Sequence, residues 1–292
     1  MILITGASGN VGQEVLKQIA ELGQPVRAAF QSAQKAEAAP PGVEAVLMDY
    51  NQPETIRVAL RDVDRVFLVG PATANLPELE RKAMNEIKQS GVRLVVKLSA
   101  MGPREVSFPG LHRESEDYIR SSGVPYTFLR PNGFMQNLVI YSQATISTDG
   151  VFYGSQGQGA VSYIDLRDIG AIAVKTLAED SHAEKTYTLT GPEALSNNRV
   201  AEILSARLGR EIRYIDLSPK EMKHALLSAG MPEWSANSML ELNELYRNGG
   251  ASTVSGDVEQ VLGRKPTTLE QFSRDYAAIF QTAKGAQRTA HV

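Results

Sequence analysis

Three glycines near the start of the chain have the residue type and spacing of an anion-binding turn. Gly6, Gly9 and Gly12 follow an apolar run over residues 2–4 and precede a segment with helical spacing of apolar residues. This order predicts a buried strand, a tight turn and a helix whose first N–H groups and positive dipole end face an anion. In a dinucleotide site the anion is the pyrophosphate, which side chains at the glycines would obstruct. The predicted cofactor loop comprises Gly6, Ala7, Ser8, Gly9, Asn10, Val11 and Gly12.

Other candidate cofactor contacts follow the later predicted strands. Ligands of a doubly wound sheet lie beyond the carboxyl ends of its strands, where the strand order reverses. The substrate should lie beyond the ends of the fourth and fifth strands, under the C-terminal lobe. The contacts to the dinucleotide predicted in this way are Gln31, Lys35, Asp49, Tyr50, Val69, Gly70, Pro71, Ser99 and Ala100.

The end of the second strand bears on which dinucleotide binds. An acidic residue there would bind the 2′-hydroxyl of NAD and repel the 2′-phosphate of NADP. The chain has Gln31 and Ser32 at this point, with Lys35 three residues later, so no carboxylate repels the phosphate. No arginine stands at the strand end to hold the phosphate, and Arg27 is either a partner or an ordinary edge residue. We expect NADP(H) to be favoured over NAD(H).

The catalytic pair of many short-chain dehydrogenases is missing from the sequence. In that pair a lysine follows a tyrosine by four residues on one helix face and lowers the pKa of the tyrosine. None of the ten tyrosines has a lysine at this spacing. Interconversion of alcohols and ketones by that pair is therefore not expected.

The helix predicted after the fifth strand, at about 111–121, offers another candidate. His112 and Glu116 lie one turn apart in it. In one interpretation they form a solvated face with an ion pair. In the other, His112 lies beside the nicotinamide and titrates near neutral pH, so that it delivers or orients a proton. We name His112 as the candidate catalytic residue. We expect no metal, because the histidines do not have the spacing of metal ligands.

A scaffold of alternating strands and helices must position these residues. The alternation predicts an α/β fold of the Rossmann type, a doubly wound parallel sheet with strand order 3-2-1-4-5-6. A smaller, mainly helical C-terminal lobe should follow, and residues 185–189 could add a seventh strand. The predicted strands lie at about 2–4, 26–30, 43–48, 65–69, 94–98 and 126–129.

The chain divides into two predicted domains. The NAD(P)-binding domain takes residues 1–150 and 166–190, and the smaller, substrate-side lobe takes 151–165 and 191–282. Residues 283–292 lack apolar periodicity and are predicted to form a disordered tail. We also expect helices near 134–145 and 267–281, a surface connection at 32–42, and a loop or hairpin in the second glycine-rich segment, 154–159.

Composition narrows the class of protein. The 292 residues are 42% hydrophobic and 22% charged, which is typical of a globular protein with a sizeable core. A net charge of -3 gives no basic field for nucleic acid or an anionic membrane, and no apolar run could span a bilayer. No cysteine is present, so disulfides and thiol chemistry are excluded. The predicted strand at the first residue leaves no room for a signal peptide, and we expect a cytoplasmic protein.

Five segments of the sequence carry a resemblance to a known family, and they are 4–12, 49–53, 123–131, 134–137 and 262–266. Through these segments the chain resembles the NmrA-like group of atypical short-chain dehydrogenase/reductases, over nearly its whole length. Within the group it is most similar to NAD(P)H-dependent quinone reductases and triphenylmethane-dye reductases, which also lack the tyrosine–lysine pair. The family often has arginine where this chain has Gln31, and His112 occupies the lysine position of the group's lysine-dependent reductases.

The resemblance implies an NADP-preferring fold with a cleft between two lobes, and it leaves two functions open. The first is a reductase that passes hydride to a small aromatic electron acceptor, a quinone or a dye. The second is a non-catalytic redox sensor that binds the dinucleotide and then a protein partner; a homodimer is also open. An open cleft beside the nicotinamide would favour the enzyme, and a filled one the sensor. The candidate substrate pocket comprises Met101, Phe134, Met135, Tyr141 and Trp234.

Overall fold

The computed structural model describes residues 1–37 and 39–281. The strands are β1 (Ile2–Ile4), β2 (Val26–Phe30), β3 (Glu44–Leu47), β4 (Arg65–Leu68), β5 (Leu94–Leu98), β6 (Tyr126–Pro131), β7 (Val151–Gly154), β8 (Ala160–Val161), β9 (Lys185–Leu189), β10 (Leu195–Ser196) and β11 (Arg213–Asp216). The helices are α1 (Asn10–Glu21), α2 (Ala33–Ala36), α3 (Pro53–Ala59), α4 (Leu76–Ser90), α5 (Ser107–Ser121), α6 (Asn137–Asp149), α7 (Leu166–Ala178), α8 (Asn197–Leu208), α9 (Pro219–Ser228), α10 (Glu233–Arg247), α11 (Asp257–Leu262), α12 (Leu269–Asp275) and α13 (Ala277–Phe280).

A parallel sheet forms the centre of the molecule, in the order β3-β2-β1-β4-β5-β6-β9. Ile2 pairs in parallel with Val26 on one side and with Arg65 on the other, so β1 lies at the reversal of strand order. The Rossmann-type fold and the order 3-2-1-4-5-6 predicted from the sequence are confirmed, and β9 adds the seventh strand beside β6.

Helices cover both faces of this sheet. Ile2 and Ile4 face a core shared with α1, α7 and α11, whereas Leu3 faces a core shared with α3, α4 and α5. Each fully buried Ile or Leu contributes about 1.5–3 kcal/mol, so the two cores hold the strand ends in fixed positions. Those strand ends form the floor of the candidate site.

The smaller lobe has its own core around the parallel pair β7–β11 and the antiparallel pair β8–β10. Two elements pack differently from the domain division drawn from the sequence. Ile146 of α6 packs in the core of the smaller lobe, whereas Val258 and Val261 of α11 pack in the core of the main sheet. The boundaries of the two domains therefore stay a prediction.

Several helix limits differ from the predicted ones for local reasons. Helix α6 begins at Asn137 rather than near 134, because Phe134 and Met135 form backbone contacts with Ile164. The helix expected over 267–281 is broken at Tyr276. Helix α5 begins earlier than predicted, and α2 and α11 were not predicted as helices. Residues 155–159 form a loop as expected, and the tail 283–292 lies outside the described residues.

Among the residues that the structure describes, none of the helices has both the length and the hydrophobicity that a membrane span requires.

Candidate active site

The glycine loop leaves the start of α1 open to a ligand. Gly6 has a φ of +60°, and Gly9 N donates to the Gly6 carbonyl at 2.9 Å. Among the residues that the structure describes, no side chain caps the helix. A Cβ at Gly12 would lie 2.2 Å from the Gly6 oxygen, and one at Gly6 would lie 2.9 Å from Val69 Cβ. The first turn contains no acidic side chain. This uncapped, uncharged helix start fits a pyrophosphate group.

The chain fixes this loop against the neighbouring strand. Thr5 Oγ1 accepts from Val69 N at 2.7 Å and donates to the Phe67 carbonyl at 3.1 Å, which joins the ends of β1 and β4. Tyr50 donates its hydroxyl to the Val69 carbonyl at 2.9 Å, and burial raises its pKa. Tyr50 therefore positions the strand end that lies beside the glycine loop.

A cleft of about 360 Å³ extends from the glycine loop to α10, across the carboxyl ends of the central strands. It brings together most of the predicted contacts, which are Gly6, Gly9, Asn10, Val11, Gly12, Val69, Gly70, Ser99, Ala100, Met101, His112 and Phe134. Sequence reasoning missed other lining residues, among them Leu76, Phe108, Asn132, Asn137, Leu242 and Tyr246.

The remaining predicted cofactor contacts do not line this cleft. Gln31 and Lys35 are exposed after β2, and Asp49 accepts hydrogen bonds from Asn51 N and Gln52 Nε2. Arg27 is not free for a ligand, because it binds Glu44 and two backbone carbonyls. The other residues outside the lining are Ala7, Ser8, Tyr50 and Pro71.

Three residues of the candidate substrate pocket lie away from the cleft walls. Met135 packs in the core of the smaller lobe, 2% exposed, and Tyr141 is an exposed residue of α6. Trp234 lies in the first turn of α10, about 12 Å along the helix from Leu242, which does line the cleft. The structure thus brings Met101 and Phe134 to the cleft but not these three.

His112 is buried in the wall of the cleft and does not lie on a solvated helix face. Its ring meets Phe108 edge-on at 4.8 Å between centroids, and its Nδ1 lies 3.3 Å from Lys97 Nζ. Burial, with the positive charges of Lys97 and Arg113, holds the pKa of His112 well below 6.5. The titration near neutral pH expected from the sequence is therefore wrong, because neighbouring cations and burial keep the imidazole neutral.

A buried ion pair lies behind His112. Lys97 Nζ donates to the two carboxylate oxygens of Glu80 at 2.7 and 2.5 Å, and both side chains are fully buried. Glu80 also accepts from Ser115 and, at 3.1 Å, from Gly70 N. The pair therefore joins β5, α4, α5 and the loop after β4.

Glu116 belongs to a second buried cluster and makes no hydrogen bond to His112. It binds Arg113, Arg130 and Ser99, and it is 1% exposed. Burial raises the pKa of Glu116, but the hydrogen bonds and charges of these partners more than offset this effect and lower it below 4.5. Arg113 also donates to the Ala100 carbonyl at 2.6 Å, which fixes the loop after β5.

Lys97 and Glu80 were not predicted as site residues, although the sequence contains a weak signal for each of them. Lys97 interrupts an otherwise apolar strand, and Glu80 falls on the apolar stripe of α4 between Leu76 and Ala83. A charged residue at an otherwise apolar position is a sign of a buried pair. Nothing in the sequence indicated that these two would pair with each other.

The second glycine-rich segment positions the end of α10. A Cβ at Gly159 would lie 2.1 Å from the Tyr246 carbonyl, and Arg247 donates to the Ser155 carbonyl at 2.9 Å. Tyr246 lines the cleft, and burial raises its pKa to about 12. Its hydroxyl is thus a neutral group in the cleft wall.

The segments that carry the family resemblance have structural roles. Arg264 approaches the fully buried Asp168 at 2.7 Å, which attaches the segment after α11 to α7. Gln136 donates to Asp165 at 2.9 Å and accepts from Leu166 N, which supports the start of α7. In the part of the chain that the structure describes, no group of acidic or histidine side chains could hold a metal ion.

Three known proteins, each named as a reductase or an oxidoreductase, are similar to this chain in sequence or in fold. The chain is 37% identical over 287 residues to an NAD(P)H azoreductase of Xenophilus azovorans, with 97% of this chain and 100% of the relative covered. Its fold matches an NADPH-dependent quinone oxidoreductase of Escherichia coli complexed with NADPH, at a TM-score of 0.85 and 26% identity, covering 95% and 100% of the two chains. The Citrobacter sp. triphenylmethane reductase complexed with NADP(H) matches at 0.83 and 27%, with the same coverage.

The family model described as NmrA-like family matches residues 1–277, so the resemblance seen in the sequence is confirmed and this chain belongs to the NmrA-like family.

Proposed function

We propose that the protein is an NAD(P)H-dependent reductase that transfers a hydride to a quinone or dye-like aromatic acceptor. One observation carries the proposal: the anion-binding start of α1 and the wall formed by His112, Phe108 and Phe134 share one open cleft. The relatives named above, a quinone oxidoreductase, an azoreductase and a triphenylmethane reductase, support the reaction class.

Different parts of the cleft would bind the dinucleotide and the acceptor. The N–H groups at the start of α1 would hold the pyrophosphate, and the loops after β4 and β5 would hold the rest of the dinucleotide. When bound, the dinucleotide supplies the hydride. Met101, Phe108 and Phe134 would then orient a flat aromatic acceptor, and this positioning accounts for most of the catalysis.

The lining also favours a class of acceptor. Among the described residues that line the cleft, none is Lys, Arg, Asp or Glu. A phosphate or carboxylate on the acceptor would lose its hydration without gaining a charged partner. Uncharged quinones and cations with delocalised charge suit this wall better than acceptors with localised anionic groups.

NADP(H) is the favoured cofactor in this proposal. Gln31 leaves the end of β2 without a carboxylate, and Lys35 is an exposed cation nearby. The two solved relatives described above were crystallised with NADPH or NADP(H). A cytoplasmic location and a homodimer stay predictions from the sequence.

The redox sensor is the weaker alternative. A protein that only senses the dinucleotide does not need free space beyond the nicotinamide position. Here the cleft continues from Ser99 and His112 to Leu242 and Tyr246, and no side chain of the described part of the chain fills it. This open space favours the enzyme.

The test is oxidation of NADPH and NADH by the purified protein, followed by absorbance, with a simple quinone and a triarylmethane dye as acceptors. Gly9→Trp should abolish turnover and nucleotide binding by filling the pyrophosphate position. Gly256→Trp should change neither, because Gly256 is exposed and no atom of the described residues lies within 4 Å of its ideal Cβ. Tight nucleotide binding without turnover on either acceptor would refute the reductase and support the sensor.

A further inference from the structure

We propose that Lys97 locks His112 as a neutral hydrogen-bond donor whose Nε2–H points into the cleft, so that the enzyme assists acceptors that gain negative charge on an oxygen or nitrogen atom. This inference rests on the proposed reductase function and names the acceptor chemistry that the site distinguishes. His112 is the group that touches the acceptor, and Lys97 is a positioning residue.

The contact between the two side chains fixes the tautomer. A lysine ammonium has three donors and no acceptor. Nδ1 of His112, which lies 3.3 Å from Lys97 Nζ, must therefore be the unprotonated acceptor nitrogen. The proton of the neutral ring is consequently on Nε2.

Glu80 keeps the lysine charged and in place. Its carboxylate accepts two of the ammonium hydrogen bonds, and its own position is set by Ser115 and by Gly70 N. Lys97 and Glu80 are fully buried on different elements, β5 and α4. The third ammonium hydrogen is thus left for His112 Nδ1 and the nearby Leu98 carbonyl, which is also 3.3 Å away.

The other ring nitrogen is available to a ligand. Over residues 1–37 and 39–281, Lys97 is the one hydrogen-bond partner found for the ring of His112. Nε2 therefore has no partner there, and it is not one of the fully buried unpartnered atoms, so part of its surface is accessible. The ring lines the cleft, so Nε2–H can reach an acceptor atom there.

Two kinds of acceptor differ in what they gain from such a donor. A quinone that accepts a hydride becomes a hydroquinone anion with charge on oxygen, and a proton from water completes the product. A triarylmethane cation that accepts a hydride at its central carbon becomes the neutral leuco dye and needs no proton. A donor at His112 stabilises the first transition state and offers nothing to the second.

The charged groups around His112 keep this donor constant with pH. Lys97 faces it from β5, and Arg113 follows it on α5; Glu80 on α4 faces it through Lys97. Burial and the two cations hold the pKa of His112 well below 6.5, so the imidazole remains neutral over the working range.

The first experiment measures the tautomer directly, in the wild-type protein without acceptor. Nitrogen-15 NMR of histidine-labelled protein, with His112→Gln to assign the signal, should show a protonated Nε2 and an unprotonated Nδ1 with no titration between pH 6 and 8. In the double variant Glu80→Gln/Lys97→Met a protonated Nδ1 should appear, because the lock is gone. Protonation at Nδ1 or titration near pH 6.5 in the wild type would overturn the proposal.

The second experiment compares the two acceptors. His112→Phe should lower kcat/KM for the quinone at least about tenfold, mainly in kcat, and change that for the triarylmethane dye less than about twofold. His112→Gln, which keeps an amide near the Nε2 position, should retain more quinone activity than His112→Asn. His224→Gln, at an exposed position on α9, should change neither activity.

The outcomes distinguish the donor role of His112 from the proposed reductase function. Equal losses for quinone and dye would refute the donor role while leaving the reductase intact. No turnover of either acceptor by the wild type would refute the proposed function, and the NMR measurement would then still decide the tautomer.

Discussion

Removing the charge of Lys97 should destabilise the protein strongly, whereas removing both charges of its pair should not. Lys97→Met leaves the Glu80 carboxylate fully buried, and within residues 1–37 and 39–281 only Ser115 and Gly70 N remain as its donors. Breaking such a pair costs about 3–5 kcal/mol. Unfolding entropy of about 2.1 cal/mol/K per residue over 292 residues converts this loss into a Tm lower by about 5–8 °C.

The double variant is the decisive comparison. Glu80→Gln/Lys97→Met removes both charges and keeps an amide for Gly70 N, so its free energy of unfolding should stay within about 1 kcal/mol of wild type. Thermal and urea unfolding of the three proteins measure this difference. The exposed pair of Lys82 with Glu78 provides the control, since Lys82→Met should not change Tm measurably. A single variant as stable as the double, or a double as unstable as the single, would refute the buried-pair argument.

Three further predictions concern the cofactor loop, the cofactor preference and pH. Gly12→Ala should cost about 1–3 kcal/mol and weaken nucleotide binding at least about tenfold, because its Cβ would overlap the Gly6 oxygen; calorimetry measures both. Gln31→Asp should raise the KM for NADPH at least about fivefold relative to NADH, since a carboxylate repels the 2′-phosphate by about 1 kcal/mol or more. The free energy of unfolding should fall as the pH drops below 6.5, because the unfolded chain binds a proton at His112 that the native ring excludes. This residue contributes up to about 1.4 kcal/mol per pH unit. In His112→Gln that contribution to the pH dependence should be lost, as measured by urea unfolding at pH 7.5 and 5.5.

Each of these three has an outcome that contradicts it. Gly12→Ala should be compared with Gly256→Ala, which has open space, and equal stability of the two would contradict the close approach seen in the loop. An unchanged cofactor ratio in Gln31→Asp would mean that the end of β2 does not approach the 2′ position. Identical pH slopes for wild type and His112→Gln would mean that the native ring binds its proton as readily as the unfolded chain.

The sheet was predictable from the sequence because its signals are local. A strand such as β1 is short, apolar and followed at once by a glycine turn. This whole pattern lies within the first twelve residues. The helix limits were less predictable where tertiary contacts override local preference. Phe134 and Met135 are apolar and helix-compatible, yet their backbone pairs with Ile164, thirty residues away.

The candidate site was predictable only where it consists of backbone. The glycine loop and the strand ends follow from topology, but Lys97 and Glu80 are 17 residues apart on different elements and meet only in the folded core. Helical spacing predicted that His112 and Glu116 share a face. In the structure they turn to different partners, because Lys97 faces the first and Arg130 the second.

The charges of this site lie one layer behind an uncharged wall, and this arrangement suits transfer of negative charge. Behind the cleft, Lys97, Arg113 and Arg130 carry three positive charges, and Glu80 and Glu116 carry two negative ones, which leaves a net charge of one positive unit. All these groups are held by hydrogen bonds before any ligand binds, so their field does not need to reorganise during the reaction. The wall stays apolar enough for an aromatic acceptor, while the layer behind it favours the electron-rich state that the acceptor reaches. A charged residue placed directly in the wall could also favour the electron-rich state, but the wall would then no longer be apolar enough for an aromatic acceptor.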